Sequence, residues 1–378
     1  MRILQVSSAR SFGGGERHLA DLSRGLVVRG HKLFFALSGG SPLLAELDFV
    51  PQENLFTLAP RNALDIGGAL RLARVAREKK VDVIHAHVAR DYLPAAFATR
   101  RARAARLVVT RHVLFPLSRI HRRSLSNVSR VIAVSGAVER ALREQDIFDQ
   151  KKIRVVANGV DVARFAGARC ESEQARREFE RARREPGRDA TGKTFRVGIV
   201  GELSEVKGQE VFVRAASLVY EKFGASVEFV IAGEDDANAG RYRARVERLI
   251  TELGLESRVH LKGRCDDVAR MLASLDVFVS ASRTESFGMA MAEALACGVP
   301  VVATATEGAR EVVEDGSTGL IVPIGDAAAI AAAVVSLLED EARRLAFAAR
   351  ASSSARERFA LERMVEETER VYAEAVGR

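Results

Sequence analysis

The stretch DVFVSASRTESFGMAMAEALACGVPVVATATEGAREVVEDGSTGLIVPIGD (276–326) decides the fold. DVFVSAS is short, apolar and β-rich, and FGMAMAEALAC carries apolar residues at helical spacing. Gly298 stands where such a helix must end, with Pro300 two residues on to forbid its continuation. VPVVAT and TGLIVP then read as two further buried strands, so the unit alternates strand and helix as a parallel α/β sheet does. Two carboxylates stand out, Glu285 before the helix and Glu293 inside it. Ser286 is the expected N-cap, and six helical steps from Phe287 put Glu293 roughly 9 Å along the axis. The amides of Phe287, Gly288 and Met289 would then be free at a helix N-terminus, which attracts anions. A diphosphate there leaves one acid for a hydroxyl-rich group and one for a hydroxyl pair, the outline of a nucleotide sugar. A solvated Glu at a helix start and another on its polar face would give the same spacing.

ESFGMAMAE followed by ALACGVPVVAT resembles the signature of the family 4 retaining glycosyltransferases, and the resemblance extends over nearly the whole chain. It implies the GT-B fold, two Rossmann-like α/β domains facing each other across a cleft. It also implies that Glu285 contacts the donor sugar and Glu293 holds the ribose hydroxyls. The expected divisions are an acceptor-side domain over 1–168, a nucleotide-sugar domain over 169–357, and a closing helix over 358–378 that packs back on the first domain.

The 378 residues suffice for two cores, and 47% apolar with 29% charged residues is the balance of an ordered globular protein. No apolar run is long enough to span a bilayer, and the first residues lack a signal-peptide pattern, so a cytoplasmic protein is expected. Cys170, Cys265 and Cys297 are too scattered for a disulfide framework or a paired-cysteine metal site. The net charge of +8 is uneven: residues 1–169 hold 29 Lys/Arg against 14 Asp/Glu. Nine arginines and no acid fall between Arg100 and Arg130. VLFPLSRIHRRSLSNV there mixes Leu, Phe and Ile with Arg119, Arg122 and Arg123, as an amphipathic helix on an anionic membrane surface would. A solvated basic face is the plainer account. Nucleic acid is not expected, because there is no Trp, few aromatics interleave the arginines and no binding motif appears.

RILQVS followed by SFGGGERH is a strand, a glycine loop and a helix, the opening of a nucleotide-type unit. The resemblance implies that Gly14 and Gly15 reach donor phosphates. VDVIHAH places His85 and His87 on one face of a strand, but no third ligand accompanies them in sequence, so no metal site is expected. His112 ends the apolar strand RLVVTR, where open α/β sheets place ligand chemistry, and the resemblance gives it a contact to the donor sugar. Ser135 and Asn158 to Asp161 match further family motifs, and Asn158-Gly159 marks the crossing between domains.

Gly187 and Gly192-Lys193-Thr194 satisfy a Walker A spacing, yet the pattern precedes a strand instead of following one and is rejected. TFRVGIVG then opens the second domain, with Gly201 at the strand end and Lys207 before a helix, a point charge placed for a diphosphate. The family usually has Arg after that glycine; here Glu202 stands instead. The resemblance also places the base over Gly263 and Arg264. The expected activity is sugar transfer from a nucleoside-diphosphate donor to a lipid-linked or glycan hydroxyl, without cofactor, His112, Lys207 and Glu285 being the catalytic candidates. The competing classes are a nucleotide-sugar hydrolase or epimerase and a non-catalytic basic binding protein.

Overall fold

A computed structural model describes residues 1–58, 62, 65–183, 194–235, 239–265 and 267–377. The Walker-type pattern at 187–193 lies outside them. The chain forms two compact units, Met1–Gly159 with Leu361–Arg378, and Val160–Ala360. The crossing falls inside the Asn-Gly turn, ahead of the 168/169 boundary expected, because the helix Val162–Arg183 packs on the second unit's helices Val268–Ala273 and Met289–Ala296.

In the first unit the strands are β1 (Arg2–Ser7), β2 (Lys32–Leu37), β3 (Leu55–Phe56), β4 (Val83–Ala86), β5 (Arg106–Arg111), β6 (Val128–Ala133) and β7 (Ile153–Val155). They form one parallel sheet, β3-β2-β1-β4-β5-β6-β7. Ile3, Leu4 and Val6 in β1 and Val83 and Ile84 in β4 are fully buried, the continuous apolar reading of strands covered on both faces. The helix Leu361–Val376 completes this unit, its Met364, Val365 and Tyr372 entering the core with Leu22 and Phe35.

The second unit holds β8 (Phe195–Val200), β9 (Val227–Ala232), β10 (Val259–Leu261), β11 (Val277–Ser280), β12 (Val301–Thr304) and β13 (Gly319–Val322), again parallel, in the order β10-β9-β8-β11-β12-β13. Its core gathers Phe212, Phe229, Val279, Val302 and Leu337.

One expected element is missing. Residues 113–127 make no amphipathic helix, only a single 3₁₀ turn at Arg119–His121 among bends and turns. Pro116 opposes helix there, and Leu125 alone of the segment is deeply buried, so the apolar residues have no common face to cover. The carbonyl of Ser124 instead accepts from Arg100, and Arg122 pairs with Asp146 at 2.8 Å.

Candidate functional site

A doubly wound sheet binds ligands at the carboxyl ends of the two strands where its winding reverses. In the second unit those strands are β8 and β11, which are neighbours with the later strands running outward on either side. Lys207 lies in the loop after β8 and Glu285 in the loop after β11. Lys207 Nζ stands 2.5 Å from Glu285 Oε1, and Ser282 Oγ donates to the same oxygen at 2.9 Å. The two loops are tied by their backbones, Arg283 N donating to Val206 O at 2.8 Å. Thr304 Oγ1 donates to Ser282 O at 2.5 Å, and Gly308 N to Glu285 O at 3.0 Å. The ion pair is therefore held on a pinned frame. Gly208 makes the approach possible: it caps the helix Gln209–Phe223 at φ 71°, and a Cβ on it would lie 2.2 Å from Ala281 O.

The helix after Glu285 spans Met289–Ala296 with Gly288 as N-cap, so Ser286 does not cap it. Phe287 is drawn into the core, 3% exposed and edge-on to Phe359, which carries the chain past the expected start. The amides at the helix start that form no backbone hydrogen bond are those of Gly288, Met289 and Ala290, and Phe287 lies outside the helix. Gly288 sits at φ 98°, a backbone conformation that favours glycine, and a Cβ there would displace the end of the Met291 side chain. Glu293 is four residues into the helix, about 6 Å along it rather than 9 Å. It is 8% exposed, which rules out the solvated polar face. Cys297 caps the far end in the core, its thiol pushed up to about 12 by burial, and Gly298 follows at φ 65° as expected.

Gly201 ends β8 with its N–H on Ala232 O at 2.9 Å and Lys207 beside it. Glu202 turns its side chain to solvent, and its carbonyl accepts from Gln209 Nε2 at 2.9 Å. Gly263, after β10, accepts from Gly233 N at 2.8 Å, and Arg264 is exposed.

In the first unit the winding reverses between β1 and β4. The helix Gly14–Val28 follows β1 with Gly13 as N-cap, so Gly14 and Gly15 form its first turn and not a loop. Glu16 Oε2 accepts from Gly13 N at 3.0 Å, and burial raises the Glu16 pKa. Its second turn brings His18 to His87 and His112, which directly follow β4 and β5. One ring nitrogen from each of the three lies within 4.8 Å of the others. His85, expected at a strand end beside His87, is fully buried in β4: Tyr372 donates to its Nδ1 at 2.6 Å, and its Nε2 donates to Thr110 Oγ1 at 2.7 Å. Burial lowers His18 to about 4 and holds His85, His87 and His112 well below the usual imidazole range, so all four rings are neutral at neutral pH. Sequence alone offered no third partner for the His-x-His pair; the fold supplies His18 and His112, and only the topology could have signalled it.

Arg119, Arg122 and Arg123 are not part of either cluster. Arg122 lines a groove with Arg143, Lys152 and Arg154, whose three arginines face Asp146, Glu139 and Glu374, and Arg119 lines another with Leu117 and Glu144.

Residues 12–164 match the family described as Glycosyltransferase Family 4, and residues 180–357 match Glycosyl transferases group 1. The chain belongs to these glycosyltransferases. Its two parallel-sheet units are those of the GT-B fold. Similar to this glycosyltransferase is the N-acetyl-alpha-D-glucosaminyl L-malate synthase of Bacillus anthracis, 27% identical over 96% of this chain and 94% of the relative. So is the lipopolysaccharide core biosynthesis glycosyltransferase LpsE of Rhizobium meliloti, 28% identical over 89% of each. Among solved structures, Alr3699/HepE of Anabaena in complex with UDP and glucose is 26% identical, with a TM-score of 0.82 over 98% of both chains. No described helix of this transferase is long and apolar enough to cross a membrane.

Proposed function

We propose that this glycosyltransferase retains anomeric configuration while moving a sugar from a uridine-diphosphate donor to a hydroxyl of a cell-envelope glycan or its lipid-linked precursor. The observation that carries the donor reading is the Lys207–Glu285 pair at the winding reversal of the second sheet, beside the Met289–Ala296 N-terminus. UDP bound in the Anabaena relative favours uracil as the base.

In this reading the donor diphosphate takes Lys207 Nζ and the amides of Met289 and Ala290. Glu285, released from its lysine, accepts from sugar hydroxyls, and Glu293 accepts from the ribose. Gly201, Gly263 and Arg264 border the phosphates and base. His112 and the amides of Gly14 and Gly15 serve the sugar and acceptor side. The leaving charge is met by fixed positives, so no metal is needed on the phosphates; one such preorganised donor is worth about 3–4 kcal/mol. Retention follows from attack on the face the leaving group vacates, the diphosphate oxygen taking the acceptor proton. Same-face attack of this kind needs no carboxylate nucleophile and no covalent glycosyl-enzyme. A panel of UDP, GDP and ADP sugars tests the donor by thermal shift, with UDP sugars expected to stabilise most. Recovery of a glycosyl-carboxylate adduct would contradict the same-face route.

A further inference from the structure

We propose that His18, His87 and His112, all in the first unit, form a three-nitrogen site for a divalent transition metal of the zinc type, His112 giving its buried Nε2 to the ion and keeping Nδ1 for the sugar side. The ring centroids of His18 and His112 are 4.8 Å apart, those of His87 and His112 5.8 Å, and those of His18 and His87 6.0 Å. Three nitrogens around a tetrahedral zinc with bonds of about 2.0 Å stand about 3.3 Å apart. The nitrogens here fall within 4.8 Å, a gap that small side-chain rotations close.

The nitrogens also lack other work. Nδ1 of His87 and Nε2 of His112 are buried without a hydrogen-bond partner, and buried His18 has only the Asn158 side chain beside it, which can engage one ring nitrogen and leaves the other with its lone pair. Buried polar atoms without partners are uncommon, and three converging ones mark a place for something that binds lone pairs. The tautomer of His87 is fixed by its far side. Its Nε2–H donates to Gln5 Oε1 at 2.9 Å, since that oxygen can only accept, and Nδ1 is left with its lone pair. Gln5 in turn donates to Tyr372 at 3.5 Å, and Tyr372 to His85. A ligating histidine held by a buried partner on its other nitrogen is the usual outer shell of a metal site.

Donor type selects the ion. Three neutral imidazoles and no carboxylate favour Zn²⁺, Co²⁺, Ni²⁺ or Cu²⁺ over Ca²⁺ and Mg²⁺. Arg111, buried and adjacent to His112, adds positive charge, which an anionic fourth ligand such as hydroxide would offset. The position is that of a ligand site by topology as well, at the carboxyl ends of β1, β4 and β5.

The test uses the full chain with any purification tag removed and Cys170 and Cys265 changed to Ser, so that no partly exposed thiol competes. After chelation, CoCl₂ is titrated while visible absorption is followed, and ZnCl₂ is then added. The expected result is one equivalent of cobalt with tetrahedral bands that zinc abolishes. His18→Gln and His87→Gln should each remove the bands, and Gln5→Leu should weaken binding about 10- to 100-fold. His260→Gln, in the second unit, should leave it unchanged. Circular dichroism and melting without metal show whether each variant is folded, and Gln5→Leu, which keeps all three rings, covers the case in which a histidine variant is not. Absence of stoichiometric binding in the starting protein would overturn the proposal. So would equal binding by the folded histidine variants, or equal loss in His260→Gln.

Discussion

Replacing Lys207 by Ala removes the side-chain cation paired with Glu285 at the second sheet's winding reversal. A unit charge about 4 Å from a phosphate oxygen, at an effective dielectric near 20, is worth about 4 kcal/mol. Lys207 is 32% exposed, so solvent screening lowers this to about 3 kcal/mol. That corresponds to a loss of about 10²-fold in transfer rate. Stability should change less. Glu285, 12% exposed, loses its cation but keeps Ser282, at a cost of about 1–2 kcal/mol. The assay measures UDP release from a UDP sugar, with whichever of a hydroxy acid, an inositol phosphate or a lipid-linked glycan supports wild-type turnover. Lys207→Arg should recover part of the rate, since charge returns without the compact ammonium geometry. A folded Lys207→Ala protein with wild-type turnover would refute the assignment of the phosphate grip.

Gly208→Ala should destabilise the second unit by about 2–4 kcal/mol in denaturant unfolding, combining a positive φ with the 2.2 Å approach to Ala281 O. Gly240→Ala, at φ 80° with open space around it, should cost only about 1 kcal/mol. Acid should destabilise the metal-free first unit. His18 falls from an ordinary 6.5 to about 4 on folding, so the unfolded chain binds the extra proton between those values and stability is lost as pH falls through that window. This group alone contributes about 3 kcal/mol, and His85, His87 and His112 act in the same direction. Asp91, raised to about 6 by burial, acts oppositely, its share being lost as pH rises from 3.8 to about 6. Melting curves between pH 7 and 4 should therefore show a net decline.

The sheets were legible because parallel strands covered on both faces are written as unbroken apolar runs, RILQVS and KLFFAL among them, between glycine turns and amphipathic helices. Lys207 and Glu285 were legible as loop residues at strand ends, but their pairing was not, because it depends on β8 and β11 being neighbours. The helix start after Glu285 was misjudged because Ser286 is a good cap by composition, whereas burying Phe287 against Phe359 outweighs one capping bond. The 113–127 segment alternates Leu and Arg at helical spacing, yet Pro116 and the bonds its carbonyls make to Arg100 favour turns. The histidine cluster draws from positions 18, 87 and 112, each ordinary where it stands in the chain.

Donor binding by Glu293→Ala is the most direct measurement. Calorimetric titration of UDP and a UDP sugar into chelator-treated wild type should give one site per chain, and the folded variant should bind at least about tenfold more weakly, the loss of one charged hydrogen bond. Equal affinity in the variant, or no nucleotide-sugar binding by the wild type, would contradict a donor seated on the Met289–Ala296 helix.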